Sequence, residues 1–354
     1  MDIFREMEQF GHEEVVFWYD KVSGLKAVIA IHDTTLGPAL GGLRMWDYGS
    51  EEEAVTDVLR LSRGMTYKNA AMGLDNGGAK AIIWADPRQD KSEEKFRSFG
   101  RLIHSLHGRY ITAEDIGITA EDMAIVARES AFVGGLPETS GDPSPATVLG
   151  VLEGMKAAMR FVYQQDDFQE KTVAIQGLGH VGRLLATELK KLGAQLIVTD
   201  LYADARSWAA QLGAQWVKPE DIYGVAADVF APCALGAILN DHTIPQLQCK
   251  IIAGSANNQL KEPRHGQELL AKGIVYVPDY VINGGGVINV ADEFERGGYI
   301  KDRAYLRIEN IGRQVQEILE TAARKQCPTQ EAADALAEER IAHLAAIKRT
   351  YIPE

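Results

Sequence analysis

The sequence predicts an α/β protein of two domains: a mixed α/β domain at the N-terminus, then a doubly wound parallel one. Three observations predict it. The chain has 354 residues, which is about two domains' worth. A cluster of glycine, proline and small polar residues, GGLPETSGDPSP at 134–145, breaks the apolar rhythm as a loop or hinge does. Beyond it, short apolar strands alternate with helical or loop segments, the pattern of a parallel sheet covered on both faces. The expected domains are 1–142 and 143–332, with a terminal helix over 333–354 packing back on the first.

In the first domain, LKAVIAIHDT (25–34) and AKAIIWAD (79–86) read as buried strands. SEEEAVTDVLRLSRGM (50–65) reads as a helix, with Ser50 as its cap and Glu53 completing a capping box. KSEEKFRSFGRLIHSLHG (91–108) repeats Phe96, Phe99, Leu102, Ile103 and Leu106 at helical spacing. GRYITAEDIG (108–117) is a strand entering a turn. After the break, a helix over 146–163 leads to strands at 172–177, 195–200, 214–218, 228–233, 251–256 and 274–279. Residues 302–349 read as mostly helical.

Composition narrows the function. Hydrophobic residues make up 46% and charged residues 25%, so both cores have ample apolar material. The formal charge of -13 and the lack of any lysine/arginine run argue against a general nucleic-acid binder. No run approaches the ~20 apolar residues that span a bilayer, and the N-terminus lacks a signal-peptide core, so no membrane partner is expected. Cys233, Cys249 and Cys327 match no disulfide or metal spacing. Reduced thiols in a cytoplasm, and no metal, are the expectation.

TVAIQGLGHVGRLLATELKKLGAQLIVTD carries G-x-G-x-x-G at Gly177, Gly179 and Gly182, ending a strand and opening a helix. Gly177 permits the turn, Gly179 lets backbone approach a pyrophosphate, and Gly182 lets helix and strand pack closely. The helix N-terminus, with Leu178, His180 and Val181 in the loop, offers N–H groups to phosphate. Asp200 closes the next strand, where a carboxylate accepts a ribose 2′-hydroxyl and repels a 2′-phosphate. The second domain is therefore expected to be of Rossmann type and to take NAD rather than NADP.

Two lysines stand out in GMTYKNAAMGLDNGGAK (64–80), among glycines and small apolar residues. If the helix continues through Gly64, Lys68 falls on the stripe of Ala54, Val58, Leu61 and Met65 and points inward. Lys80 opens a buried strand. One such lysine snorkels to water, whereas two suggest a pocket needing positive charge, although salt-bridged structural lysines remain the plain alternative. Burial beside another cation lowers a lysine below its reference of about 10.4, so one lysine can act as a base while the other holds a carboxylate. Glu114 and Asp115 end the nearby strand; alternation does not decide which turns inward. With NAD, these parts suggest oxidation of an amine beside a carboxylate.

The stretches GPALGGLRMW, RLSRGMTYKNAA, GGAK, GRYITAEDIG, DPSPATVLGV, IQGLGHVG, IYGVAADVFAPCALG, IIAGSANNQL and PDYVINGGGVINVADE cover nearly the whole chain. Together they resemble the glutamate/leucine/phenylalanine/valine superfamily of amino-acid dehydrogenases, most of all its bacterial leucine branch. The resemblance implies two domains with the active site in the cleft between them. It implies reversible oxidative deamination of a hydrophobic L-amino acid by NAD+, giving a 2-oxo acid, ammonia and NADH. Lys68 would bind the α-carboxylate. Lys80 would activate water, and Asp115 would exchange protons with the substrate nitrogen. Thr147, Asn257 and Asn258 would lie near the nicotinamide.

The positions where relatives recognise glutamate's second carboxylate are here Leu40 and Val290, both apolar. Leu40, Gly41, Gly42, Met65, Val287 and Val290 would line a greasy pocket for leucine, isoleucine and valine. Aromatic amino acids are the alternative within the family, and a non-catalytic NAD-binding scaffold is the alternative outside it. The resemblance also implies a homo-oligomer, octamer or dimer, assembled through the first domain. The chain departs from the family pattern at Asp75, Asn76, Asp142 and Gly284.

Overall fold

A computed structural model describes residues 2–347; residues 348–354, the end of the expected terminal helix, lie outside the described residues. The chain divides into two compact units. The first comprises Met1–Asp142, Val290–Lys301 and Ala337–Glu354, and the second Pro143–Asn289 and Asp302–Leu336.

The first unit begins with α1 (Ile3–Phe10), β1 (Glu14–Asp20), β2 (Leu25–Asp33), β3 (Ala39–Trp46) and α2 (Glu51–Ala71). It continues with β4 (Gly77–Trp84), α3 (Glu93–Ser105), β5 (Tyr110–Glu114) and α4 (Ala120–Ala127). The five strands form one mixed sheet in the order β1-β2-β4-β3-β5. β2 runs antiparallel to β1 and β4, while β3 is parallel to β4 and β5.

Side-chain alternation divides this sheet into two buried faces. Ala27, Ile29 and Ile31 of β2 join Ala79, Ala81 and Ile83 of β4 against Phe96, Phe99, Leu102 and Ile103 of α3. Val28, Ala30 and Ile82 point the other way, against Ala54, Val55, Val58 and Leu59 of α2. Lys80 shares the parity of Ile82 and is paired with Ala30, so the register delivers it to the α2 face. A slip of one residue would send it into the α3 core instead.

Helix α2 does continue through Gly64, and so carries Lys68 in its last turn. Ser50 caps it by accepting from the Glu53 amide. The expected capping box does not close, because the Glu53 carboxylate accepts from the Gly49 N–H, one residue earlier than the cap. At Gly78 an added Cβ would lie 2.1 Å from the Thr66 nitrogen, so glycine there lets α2 sit directly on β4.

The second unit holds α5 (Ser144–Tyr163), β6 (Thr172–Gln176), α6 (His180–Lys191), β7 (Gln195–Thr199), α7 (Ala203–Leu212) and β8 (Gln215–Trp216). There follow β9 (Ala226–Pro232), β10 (Gln248–Ile252), α8 (Arg264–Ala271), β11 (Val275–Tyr276) and α9 (Asp279–Ile282). The last helices of the chain are α10 (Gly285–Ala291), α11 (Lys301–Glu309), α12 (Ile311–Lys325) and α13 (Thr329–Ala345), with α10 from Val290 and α13 from Ala337 counted in the first unit.

The six strands make one parallel sheet, β11-β10-β9-β6-β7-β8, which is the doubly wound Rossmann-type arrangement the sequence predicts. β10 lies earlier than the apolar run at 251–256 suggests. Gly254 is held against Pro232, where a Cβ would meet its carbonyl oxygen at 2.2 Å, and the chain turns there rather than extending. No described helix is long and apolar enough to cross a membrane.

Candidate active site

The α2 face of the first sheet gathers four charges. Lys80 is 5% exposed, and its Nζ lies 3.0 Å from Oδ2 of Asp115. Nε of Arg44 donates to the same oxygen at 3.0 Å, and its Nη1 donates to Oδ2 of Asp57 on α2 at 2.9 Å. The Tyr48 hydroxyl donates to that Asp57 oxygen at 2.6 Å. The acid left undecided by alternation is thus Asp115. It lies in the turn after β5, where its own carbonyl accepts from Ile118, while Glu114 is exposed.

The electrostatics follow from burial and neighbours. Burial pushes Lys80 below its ordinary value, opposed by Asp115 and reinforced by Arg44. Burial alone would raise Asp115, but Lys80 and Arg44 outweigh it and hold the carboxyl below its usual range. Arg44 loses to burial but gains more from Asp115 and Asp57, and is raised.

Gly42 forms the floor of this group. A Cβ added to it would lie 2.9 Å from Cβ of Asp115 and 3.3 Å from Nζ of Lys80. Next to it, the Gly41 carbonyl accepts from the Tyr110 hydroxyl at 2.8 Å, and Met65 of α2 lies over Gly41. Leu40 is buried in β3, and Lys68 is half-buried on α2. Asn69 ties that turn of α2 to the sheet by donating to the carbonyls of Leu40 and Gly77. Val290 packs against Gly134 and Gly135, and Val287 is half-buried on α10.

Sequence reasoning missed Arg44, Asp57, Tyr48 and Asn69. The signal for Arg44 was present, since it follows Gly42 at strand period two and so shares its face.

The departures from the family pattern also find places. Asp75 takes an ion pair from Arg340 of α13 at 2.9 Å, and Arg340 also donates to the Leu74 carbonyl. Asn76 donates to the Pro38 carbonyl at 3.2 Å, and Gly284 is buried. Asp75 is thus turned toward α13, and both residues brace the loop before β4.

In the second unit the β6–α6 loop fits a dinucleotide. Gly177 has φ +99°, in the left-handed region that favours glycine. A Cβ on Gly182 would lie 2.0 Å from the Gly177 carbonyl oxygen, whereas one on Gly179 would meet nothing within 4 Å, leaving room for a ligand. Helix α6 has no side-chain cap, which leaves its first amide groups without a side-chain acceptor, as a phosphate-binding helix N-terminus requires. Asp200 accepts from the amides of Leu178 at 2.6 Å and Tyr202 at 2.9 Å, which fixes its carboxylate beside the loop.

Thr147 donates to the Pro143 carbonyl and lies beside Gly286. Asn257 accepts from Asn283 at 2.6 Å, and Asn258 is held at φ 51° with its carbonyl bound by the Ala237 amide. Among the described residues, Asp241, His265 and Glu268 also converge, but the Arg264 guanidinium already sits 2.7 Å from both carboxylates.

The family model for the Glu/Leu/Phe/Val dehydrogenase dimerisation domain matches residues 12–132, and that for glutamate/leucine/phenylalanine/valine dehydrogenase matches 200–348. The chain is 56% identical to a leucine dehydrogenase of Geobacillus stearothermophilus, over 96% of this chain and 94% of that one. The chain belongs to this amino-acid dehydrogenase family. An NAD-binding-domain model, from D-isomer-specific 2-hydroxyacid dehydrogenases, matches residues 153–244 across the glycine loop. A phenylalanine dehydrogenase of Lysinibacillus sphaericus is 48% identical, over 94% of this chain and 89% of that one. The solved structure of the L-tryptophan dehydrogenase of Nostoc punctiforme superposes with a TM-score of 0.86 at 45% identity, covering 97% of this chain and 99% of that chain. The protein is an NAD-dependent oxidoreductase of this family.

Proposed function

We propose that the protein oxidatively deaminates leucine, isoleucine and valine, reversibly and with NAD+, at the Lys80–Asp115 pair. The observation that carries this is the buried Nζ of Lys80, 3.0 Å from a carboxylate and facing backbone glycine rather than another side chain at position 42.

Bound NAD+ supplies a hydride acceptor; the chain's residues do the rest. Lys68 binds the substrate α-carboxylate. Asp115, held ionised by Arg44, takes a proton from the substrate amino group and later returns one to the departing ammonia. Lys80, with its proton loosened by burial, deprotonates the water that adds to the imine carbon. The Asp200 carboxylate, already fixed to the loop amides, accepts the ribose hydroxyls and repels a 2′-phosphate. Thr147, Asn257 and Asn258 position the nicotinamide. Burial of the reacting groups keeps competing water from them.

Leu40, Gly41 and Met65 support an aliphatic preference, because a charged side chain beside them would lose its hydration without a partner. Aliphatic side chains differing by a methylene are separated by only ~1–3 kcal/mol, so all three branched-chain substrates should turn over. NADH formation from a panel of L-amino acids at alkaline pH tests this. Leucine, isoleucine and valine should lead, glutamate should be inert, and NADP+ in place of NAD+ should lower kcat/KM at least tenfold. Faster turnover of phenylalanine or tryptophan would overturn the pocket reading while leaving the reaction.

The three free cysteines suit a cytoplasmic enzyme. An oligomer is supported by β1, an edge strand that exposes Phe17, Trp18 and Tyr19 beside its unpaired backbone groups. Light scattering should give a mass of at least twice the chain's 38.8 kDa. A monomer at micromolar concentration would refute the assembly.

A further inference from the structure

A buried lysine next to a single aspartate is a poor base. The aspartate's charge holds the lysine's proton, and the pair locks as an ion pair. The reading of Lys80 as a base therefore needs something that satisfies Asp115 without lending it a proton. Arg44 has that chemistry. Its guanidinium keeps its proton at any working pH, and its fork reaches two acceptors at once. Nε of Arg44 and Nζ of Lys80 lie 3.0 Å from one and the same oxygen, Oδ2 of Asp115. The other arm of the fork is tied to Asp57, whose oxygen also takes the Tyr48 hydroxyl. Arg44 is thus anchored at its far end by α2 and by the loop after β3, and cannot swing to follow the substrate.

We propose that Arg44 is a positioning residue that frees Lys80 to act as the base, and that Asp57, braced by Tyr48, sets the strength of that effect. This inference rests on the reading of Lys80 given above. With Lys80 protonated, the charges of Lys80, Arg44, Asp115 and Asp57 sum to zero. Without Arg44 the same group carries a net negative charge and retains the lysine proton. Without the charge of Asp57 it carries a net positive charge and expels that proton.

The charged groups acting on Lys80 are Asp115 from the turn after β5, Arg44 from β3 and Asp57 from α2. The phenols of Tyr48 and Tyr110 are both pushed up by burial and add no charge. Lys68, the other cation of this turn of α2, is unchanged in every variant below.

The prediction is a pair of opposite displacements, which loss of structure would not produce. In the pH profiles of kcat and kcat/KM for L-leucine oxidation, the limb requiring neutral Lys80 should move to higher pH in Arg44→Met. In Asp57→Asn it should move to lower pH. Each shift should be at least about one pH unit, the lower bound for unit charges a few ångströms away in a partly buried site. Limbs belonging to the free amino acid are common to all variants, so a displacement belongs to the enzyme. Tyr48→Phe changes no charge and should leave the limb in place. Arg44→Lys keeps the charge but cannot bridge both carboxylates; it should hold the limb near its wild-type position while lowering kcat, and Arg44→Gln takes the place of Arg44→Met if that variant does not fold.

An upward shift in Arg44→Met together with a downward shift in Asp57→Asn supports the proposal, and a held limb in Arg44→Lys assigns the first shift to the lost charge. A limb that stays put in either charge-removing variant, or limbs that move the same way in both, overturn it. Lys80→Ala, run alongside, separates the two levels. If it loses turnover while the limbs do not move, this inference alone fails. If it keeps turnover, the reading of Lys80 fails and takes the inference with it.

Discussion

Lys80→Ala is expected to lower kcat for L-leucine oxidation by ~10²–10⁴-fold, the range that a positioned proton-transfer group supplies. The loss should fall on kcat more than on KM, because the carboxylate is assigned to Lys68 and not to Lys80. The fold should survive. Lys80 makes its ion pair with Asp115, and Arg44 remains at 3.0 Å to satisfy that carboxylate. Deleting the lysine therefore does not leave a buried charge unpaired, which is the usual cause of collapse at such sites. NAD+ binding should also be unaffected, since the glycine loop belongs to a different unit of the chain. Initial rates, a dinucleotide titration and a thermal melt on the same preparation check the three statements. Turnover within tenfold of wild type would remove Lys80 from the mechanism.

Gly42→Ala should cost at least about a hundredfold in kcat although it adds a single methyl group, the size of effect that follows a ~1 Å misplacement of reacting groups. The added Cβ would fall 2.9 Å from Cβ of Asp115, 2.9 Å from the Glu114 carbonyl oxygen and 3.3 Å from Nζ of Lys80. The carbonyl oxygen is main chain and gives way little. The Asp115 Cβ is fixed to the main chain as well, so the end of β5 and the turn carrying Asp115 must move, and with them the groups whose placement matters. At Gly41 the obstacle is different: a Cβ there would lie 1.7 Å from the carbonyl oxygen of Ala79, so alanine forces β3 off β4 and should be read as lost folding. A soluble Gly42→Ala protein with a lowered melting temperature and a collapsed kcat is the expected result. A fully active one would place the reaction away from the Lys80–Asp115 pair.

Much of this site was legible because its chemistry is written in short, unusual strings. Glycines around a lysine, as in GGAK, mean close backbone approach to a buried cation, and Gly78 under Thr66 shows the approach is real. The glycine loop was legible for the same reason, its spacing matching a turn that few other residues can make. The choice between Glu114 and Asp115 was not, because Asp115 lies past the end of β5, where strand alternation has stopped. Arg44 and Asp57 escaped because each is an ordinary charged residue in its own element. Only pairing of β3 with β5, and packing of α2 on that face, brings both to one carboxylate network. From sequence alone the helix through Gly64 is conditional, since glycine costs a helix interior about 1 kcal/mol. There the glycine is exposed, and the turns on either side carry buried Leu59, Ser62, Thr66 and Asn69, whose packing decides the matter. The position of β10 is not legible from the apolar run at 251–256, because pairing with β9 selects Gln248–Ile252.

The most direct test of the central claim, that the Lys80 amine itself carries the proton, is rescue of Lys80→Ala by small primary amines. The vacated side chain leaves an enclosed space beside Asp115 that a methylammonium-sized molecule fills. NADH formation from L-leucine should recover with methylamine concentration, in proportion to its free-base fraction, and should not recover with a neutral alcohol of similar size. An unrescued variant that still binds NAD+ and leucine would contradict the account, leaving Lys80 as a structural partner of Asp115 and the base elsewhere.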